Sequence, residues 1–244
     1  MNIGSLSKSL FLRKMLRTVA PRSELALQLL YAGELRRWVR KHRGGARFDN
    51  RFALYDELHA SCLDGSPIDF LEFGVWNGDS TSYWANLDRH PDSRFFGFDT
   101  FTGLPEAWHG ILSTKPPGSF SANGKIPTLG DDRVRFIQGL FQDVLPQFVA
   151  AFAPRGVLVL HIDCDVYSSS LYTLCTLDPV LRPGSIVVFD EFCSAAHEFR
   201  AFIDYSSSYR RSYELFGYAG DYEQVALRIA GCEPRGRAVS PPAL

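Results

Sequence analysis

The chain has 244 residues and lacks any apolar run approaching the roughly 20 residues that span a bilayer, so no membrane-spanning helix is expected. Cysteine is sparse. Cys62, Cys164, Cys175, Cys193 and Cys232 are odd in number, widely scattered and without a CxxC pair, which argues against a disulfide framework and against a structural zinc site. No GxSxG elbow occurs, so a Ser-His-Asp hydrolase is not indicated. The first glycine-rich turn, GVWNG, carries no Lys for a P-loop and is not a strict GxGxxG. The N-terminal stretch MNIGSLSKSLFLRKMLRTVA is basic and amphipathic but has no long apolar centre of the signal-peptide kind. A cytoplasmic protein is therefore expected.

Hydrophobic residues at 45% and charged residues at 22% describe an ordinary folded domain, long enough to bury a proper core. The net charge of −1 hides an asymmetry. Residues 1–47 hold eleven Lys/Arg and two acids, a net +9, whereas the remainder holds fifteen basic and twenty-five acidic residues, a net −10. A basic arm on an acidic body suits an anionic partner, a second subunit or a solvated helix face. The arm lacks the interleaved aromatics of a nucleic-acid surface, so no nucleic acid is expected, which leaves a homo-oligomer through the N-terminal helices or a solvated helix face.

Residues 1–45 read as helices, with Ser23 as a cap and Leu25, Leu29, Leu30 and Trp38 at near-helical spacing. Residues 48–63 read as a further helix with Phe52, Leu54, Tyr55, Leu58 and Cys62 inward. The pattern then changes to short apolar strands at 68–75, 94–101, 133–141, 156–165 and 182–192, alternating with helices, and a terminal hairpin at 213–229. Such alternation predicts an α/β domain with a mostly parallel, doubly covered sheet over residues 48–232, a basic helical arm at 1–47 and a frayed tail at 233–244. Residues 102–131, rich in Gly, Pro, Ser and Lys around Trp108 and Phe120, read as a lid or binding loop. Those two aromatics suit either stacking on a ligand or anchoring of the lid.

Ligands of such sheets sit beyond the carboxyl ends of the strands, so the residues there carry the chemistry. Strand one ends in Glu72, Gly74, Asn77, Gly78, Asp79, Ser80 and Thr81, a turn into a helix N-terminus. Strand two ends in Asp99, placed to accept from ribose hydroxyls, so the pair of ends points to a nucleoside. Strand four ends in HIDCDVYSS and strand five in FDEF. Asp163 and Asp165 share one face of an extended segment, and Asp190 and Glu191 stand beside them. Neither motif contains a Lys or Arg, so a hard divalent cation with oxygen ligands is expected to compensate the charge. Cys164 and His161 read as buried core residues, and His109 and His197 as minor candidates.

DFLEFGVWNGDST, FFGFDTFTGLPE, PPGSFSANGKIP, RFIQGLFQDVLP, LHIDCDVYSSSLYTL, PGSIVVFDEF and EQVALRI, in this order, resemble the macrocin O-methyltransferase family. This is a branch of the class I S-adenosylmethionine-dependent methyltransferases, and the resemblance covers about residues 50–230. It implies a Rossmann-like sheet of seven strands with the last antiparallel. It also implies Mg²⁺-assisted methylation of a hydroxyl on a sugar, a glycosylated natural product or a phenol. It places Glu72, Gly74, Asn77, Gly78 and Asp99 toward S-adenosylmethionine, and Ser80, Thr81, Gly139 and Phe141 complete the expected cofactor-facing set. Asp163 and Asp190 match metal ligands, and Asp165 matches the general base. The family's next ligand is a second Asp, where this chain has Glu191, of the same charge and one carbon longer. The expected acceptor is a small molecule or glycan. Competing readings are a catechol or phenol methyltransferase, a nucleotide-dependent dehydrogenase and a non-catalytic binding module.

Overall fold

A computed structural model describes residues 24–63, 65–110 and 112–232. The expected cap at Ser23, the helices before it and the tail at 233–244 lie outside these residues. The main sheet contains, in chain order, β1 (Ala46–Phe48), β2 (Ile68–Phe73), β3 (Arg94–Asp99), β6 (Val134–Gln138), β7 (Val157–Ile162), β8 (Ile186–Phe189), β9 (Arg211–Ala219) and β10 (Gln224–Cys232). Their spatial order is β1-β9-β10-β8-β7-β2-β3-β6. β10 runs antiparallel to both β8 and β9, and the other pairings are parallel. The seven strands of the expected sheet are all present, with the last antiparallel. An eighth, the three-residue β1, adds to the edge beside β9, within a stretch whose sequence reads as the end of the arm.

Strand residues alternate between two cores, as a period of two requires. One face buries Leu71, Phe73, Phe98, Leu160, Ile162 and Phe189 under α4 (Phe141–Ala151), α5 (Tyr167–Leu177) and α6 (Arg200–Tyr209). The other buries Phe70, Phe95, Val159 and Val188 with Leu54, Tyr55 and Leu58 of α2 (Arg51–Leu58) and Trp84 of α3 (Asp79–Leu87). Asn50 starts α2: its Oδ1 accepts from the Phe52 and Ala53 amides at 3.0 and 3.1 Å. Phe52, expected inward, is 41% exposed.

Helix α1 (Glu24–Lys41) belongs to the domain rather than standing apart from it. Trp38 packs among Phe192, Phe199, Phe202 and Tyr222, and its Nε1 donates to the Tyr213 hydroxyl at 2.8 Å. That large anchor sets the phase of the helix, so Gln28, Tyr31, Leu35 and Val39 face inward with it. Leu25, Leu29 and Leu30 are consequently 53–61% exposed, contrary to the sequence expectation. Among the described residues, no helix is long and apolar enough to cross a membrane.

The stretch 102–131 is not featureless. It contains a small hairpin of β4 (Trp108–His109) and β5 (Thr114–Lys115). Trp108 stacks on His197 with centroids 5.5 Å apart, and the Gln28 side-chain amide donates to the His109 carbonyl. Trp108 therefore anchors this segment, one of the two roles open to it.

Candidate active site

At the carboxyl ends of β2, β3, β6, β7 and β8 the structure opens a cleft of about 280 Å³. Gly74, Trp76, Asp99 and Phe141 line one side, and Asp163, Asp165, Asp190 and Glu191 line the other. Gly103, Leu104, Pro105 and Phe120 of the 102–131 stretch close over it. Trp76 and Phe120 meet edge-on at 6.4 Å, and both are nearly half exposed.

The chain turns sharply after β2. Gly74 has φ +95°, and a Cβ there would overlap the Asp163 carbonyl oxygen, so only glycine lets β2 and β7 end side by side. Asp99 organises this turn from below. Its Oδ2 accepts from the amides of Val75 and Trp76 at 2.8 and 2.7 Å, and its Oδ1 accepts from Phe101 at 2.7 Å. A carboxylate offers about four acceptor positions; the fourth meets only the Thr100 hydroxyl at 3.5 Å, and that hydroxyl has a shorter acceptor in the Gly103 carbonyl at 3.0 Å, so the position stays open to a hydroxyl in the cleft.

Of the expected cofactor-facing residues, Gly74, Asp99 and Phe141 reach the cleft wall. Glu72 is wholly buried behind it. It accepts a hydrogen bond from the equally buried Thr81 hydroxyl and lies 3.4 Å from Nδ1 of His161. Burial, opposed by the Thr81 hydrogen bond, pushes its carboxyl up to about 8. Ser80 and Gly78 are buried in the turn and first helical residues, and Asn77 is exposed beside them. Gly139 lies behind the wall, its amide bonded to the Asp99 carbonyl at 3.0 Å. His161 is a core residue, as expected: its Nε2 meets the Tyr55 hydroxyl at 2.8 Å, and burial holds the ring down to about 3.

The four expected acids do converge. Parallel neighbours β7 and β8 end level, because the Asp190 amide bonds back to the Ile162 carbonyl at 2.9 Å. Asp165 sits at φ +61° in a γ-turn closed by the Val166 amide on the Cys164 carbonyl at 2.6 Å. A non-glycine residue in that conformation is strained, a feature concentrated at functional sites. Burial first, then Glu191, Asp190 and Asp99, push the Asp165 carboxyl up to about 7. Burial and Asp190 likewise raise Asp163 well above the ordinary carboxylate range. Among the described residues, the three potential ligand atoms mutually within 4.8 Å belong to Glu72, His161 and Asp163. Asp163, Asp190 and Glu191 share the cleft wall without forming so tight a group. Glu72 and His161 are closed off from it, so a cation entering by the cleft meets Asp163 and Asp190 first.

Sequence reasoning missed two groups. Glu198, fully buried, accepts from the Cys164 amide at 3.2 Å and the Glu191 amide at 3.0 Å, tying both acid-bearing loops together from beneath. Its signal was an acid inside the apolar stretch Ala195–Phe199, since acids are almost never fully buried without partners. The second is Arg51 at the start of α2, whose Nη1 stands 3.0 Å from Asp190 Oδ1. The absence of Lys or Arg from the two acidic motifs is thus made good by a distant segment.

Residues 71–192 match the family model described as a methyltransferase domain. The chain belongs to this methyltransferase family. A curated relative from Streptomyces olivaceus, 8-demethyl-8-(2,3-dimethoxy-alpha-L-rhamnosyl)-tetracenomycin-C 4'-O-methyltransferase, is 35% identical over 161 residues, 56% of this chain and 59% of its own. Mycinamicin III 3''-O-methyltransferase from Micromonospora griseorubida is 29% identical over 167 residues, 59% of this chain and 64% of its own. The matches thus span about six tenths of the length of these relatives. The crystal structure of CalS11, a calicheamicin methyltransferase, superposes with a TM-score of 0.55 at 22% identity, covering 93% of each chain, and shares the fold. The cleft lies at the topological switch point between β2 and β7, where successive strands pass from one side of β2 to the other.

Proposed function

We propose that this methyltransferase transfers the methyl group of S-adenosylmethionine to a hydroxyl of a sugar or glycosylated natural product, assisted by a divalent cation such as Mg²⁺. The observation that carries the reading is the two-sided cleft: a glycine turn with Asp99 on one side, four carboxyls from two adjacent strand ends on the other. The relatives support the acceptor class, being named for O-methylation of a rhamnosyl tetracenomycin and of mycinamicin III.

The residues fit both groups. Gly74 leaves the turn bare toward the cleft, and Asp99 keeps acceptor capacity for a ribose hydroxyl. Asp190 Oδ1 is buried without an aligned hydrogen-bond donor among the described residues, which suits a cation ligand. Asp163, Asp190 and Glu191 would hold the cation, with positive charge that stabilises the charge developing on the acceptor oxygen. Asp165 takes the hydroxyl proton. S-adenosylmethionine bound against Gly74 and Asp99 would supply the methyl group to the acceptor oxygen, the C–S electron pair staying on sulfur as the C–O bond forms. Phe120 and Leu104 cover the cleft and exclude water. Glu72 and Thr81 act through the turn they brace rather than by touching the cofactor.

Asp165→Asn tests the assignment. Turnover with a sugar acceptor should fall by about 10²–10⁴-fold, with S-adenosylhomocysteine affinity by calorimetry unchanged. Retained turnover removes Asp165 as the base. Activity on catechols with none on glycosides would move the acceptor class.

A further inference from the structure

The acidic side of the cleft contains a cation of its own. Among the described residues, the basic side chain that pairs with any of its carboxyls is Arg51, 3.0 Å from Asp190. Arg51 lies outside the matched family segment, on the first turn of α2. Its backbone is fixed there by the Asn50 cap, and its side chain is 37% exposed against 8% for Asp190. The contact is one of charge rather than of aligned hydrogen bonding, because Asp190 Oδ1 still lacks a hydrogen-bond partner. A guanidinium is held best through its planar fork of donors, and here that fork is not used. Arg51 thus neutralises Asp190 without saturating it. A divalent cation brings twice the charge in a smaller volume and can touch carboxyls from both strand ends at once. The Arg51 side chain is long and 37% exposed, so its outward path leads to solvent.

We propose that Arg51 is a built-in competitor for the cation site, holding Asp190 in the cation-free protein and giving it up when a divalent cation enters. The affinity of the site is then set by an exchange of one positive charge for another, and the cation-free acid cluster is spared a fully unpaired Asp190. The inference rests on the cation reading of the cleft given above.

Titration of Mn²⁺ by calorimetry into the wild-type protein, R51M and R51K, without cofactor or acceptor, tests it. R51M should bind Mn²⁺ up to about fivefold more tightly, the size expected for loss of a partly exposed competing charge. It should also melt below wild type without Mn²⁺ and gain more from its addition. R51K, which keeps the charge, should bind nearly as wild type does. If R51M does not fold, R51Q serves the same comparison. Equal affinities, or weaker binding once the charge is gone, overturn the inference while leaving the cation site standing. No Mn²⁺ binding by any of these proteins removes the site itself and the inference with it.

Discussion

Replacing Glu198 with Ala perturbs a side chain that joins both acidic loops. Its two oxygens accept from the Cys164 and Glu191 amides, and the residue is fully buried. Orphaning two buried amides costs about 1–3 kcal/mol each, a gross loss of about 2–6 kcal/mol. Part is returned, because burial and the neighbouring Glu191 and Asp190 hold this carboxyl well above its ordinary range, an unfavourable setting for a charge. A net loss of about 2–4 kcal/mol is expected, which for a domain of this size lowers Tm by about 4–16 °C. The pH dependence carries a second signature. A carboxyl raised on folding stabilises most below its unfolded value of 4.5, and that contribution disappears as pH rises through its folded value. The wild-type protein should therefore lose stability with rising pH above about 4.5, and E198A should flatten that decline. Thermal melts from pH 4.5 to 9 measure both effects. A Tm within 1 °C of wild type at every pH would refute the bracing role.

Two further outcomes follow from the site. With Asp165 raised to about 7, kcat/KM should fall on the acid side near pH 7 at low Mg²⁺, and the limb should move to lower pH as Mg²⁺ offsets Glu191 and Asp190; profiles at two Mg²⁺ concentrations check this. Gly74→Ala forces a Cβ against the Asp163 carbonyl at positive φ, so it should abolish S-adenosylhomocysteine binding or folding altogether, read by calorimetry and circular dichroism.

Much of this molecule follows from local pattern. Nearly continuous apolar runs such as Val157–Ile162, broken only by His161, mark strands buried on both faces, and parallel strands end at one edge, so Asp163 and Asp190 meet wherever β7 and β8 are neighbours. Gly74, Asp99 and the acids were legible because a rule of strand ends needs only the order of elements. Three features depended on the assembled chain. The phase of α1 was decided by where Trp38 finds its aromatic pocket, leaving Leu25, Leu29 and Leu30 outward, since helical spacing alone admits more than one inner face. Glu72 and Thr81 flank the turn in sequence, yet they face each other inside the core, because strand alternation and the start of α3 turn both side chains inward. Arg51 and Glu198 reach the acid cluster from α2 and from the π-helix Ala195–Phe199 before α6, one by an ion pair and the other by accepting from two backbone amides, and contacts between distant segments leave no periodic trace. The sequence by itself determined which carboxyls gather at the sheet edge, because that follows from strand order. Only the tertiary structure decided which groups compensate them, because burial and charge pairing are settled by neighbours in space.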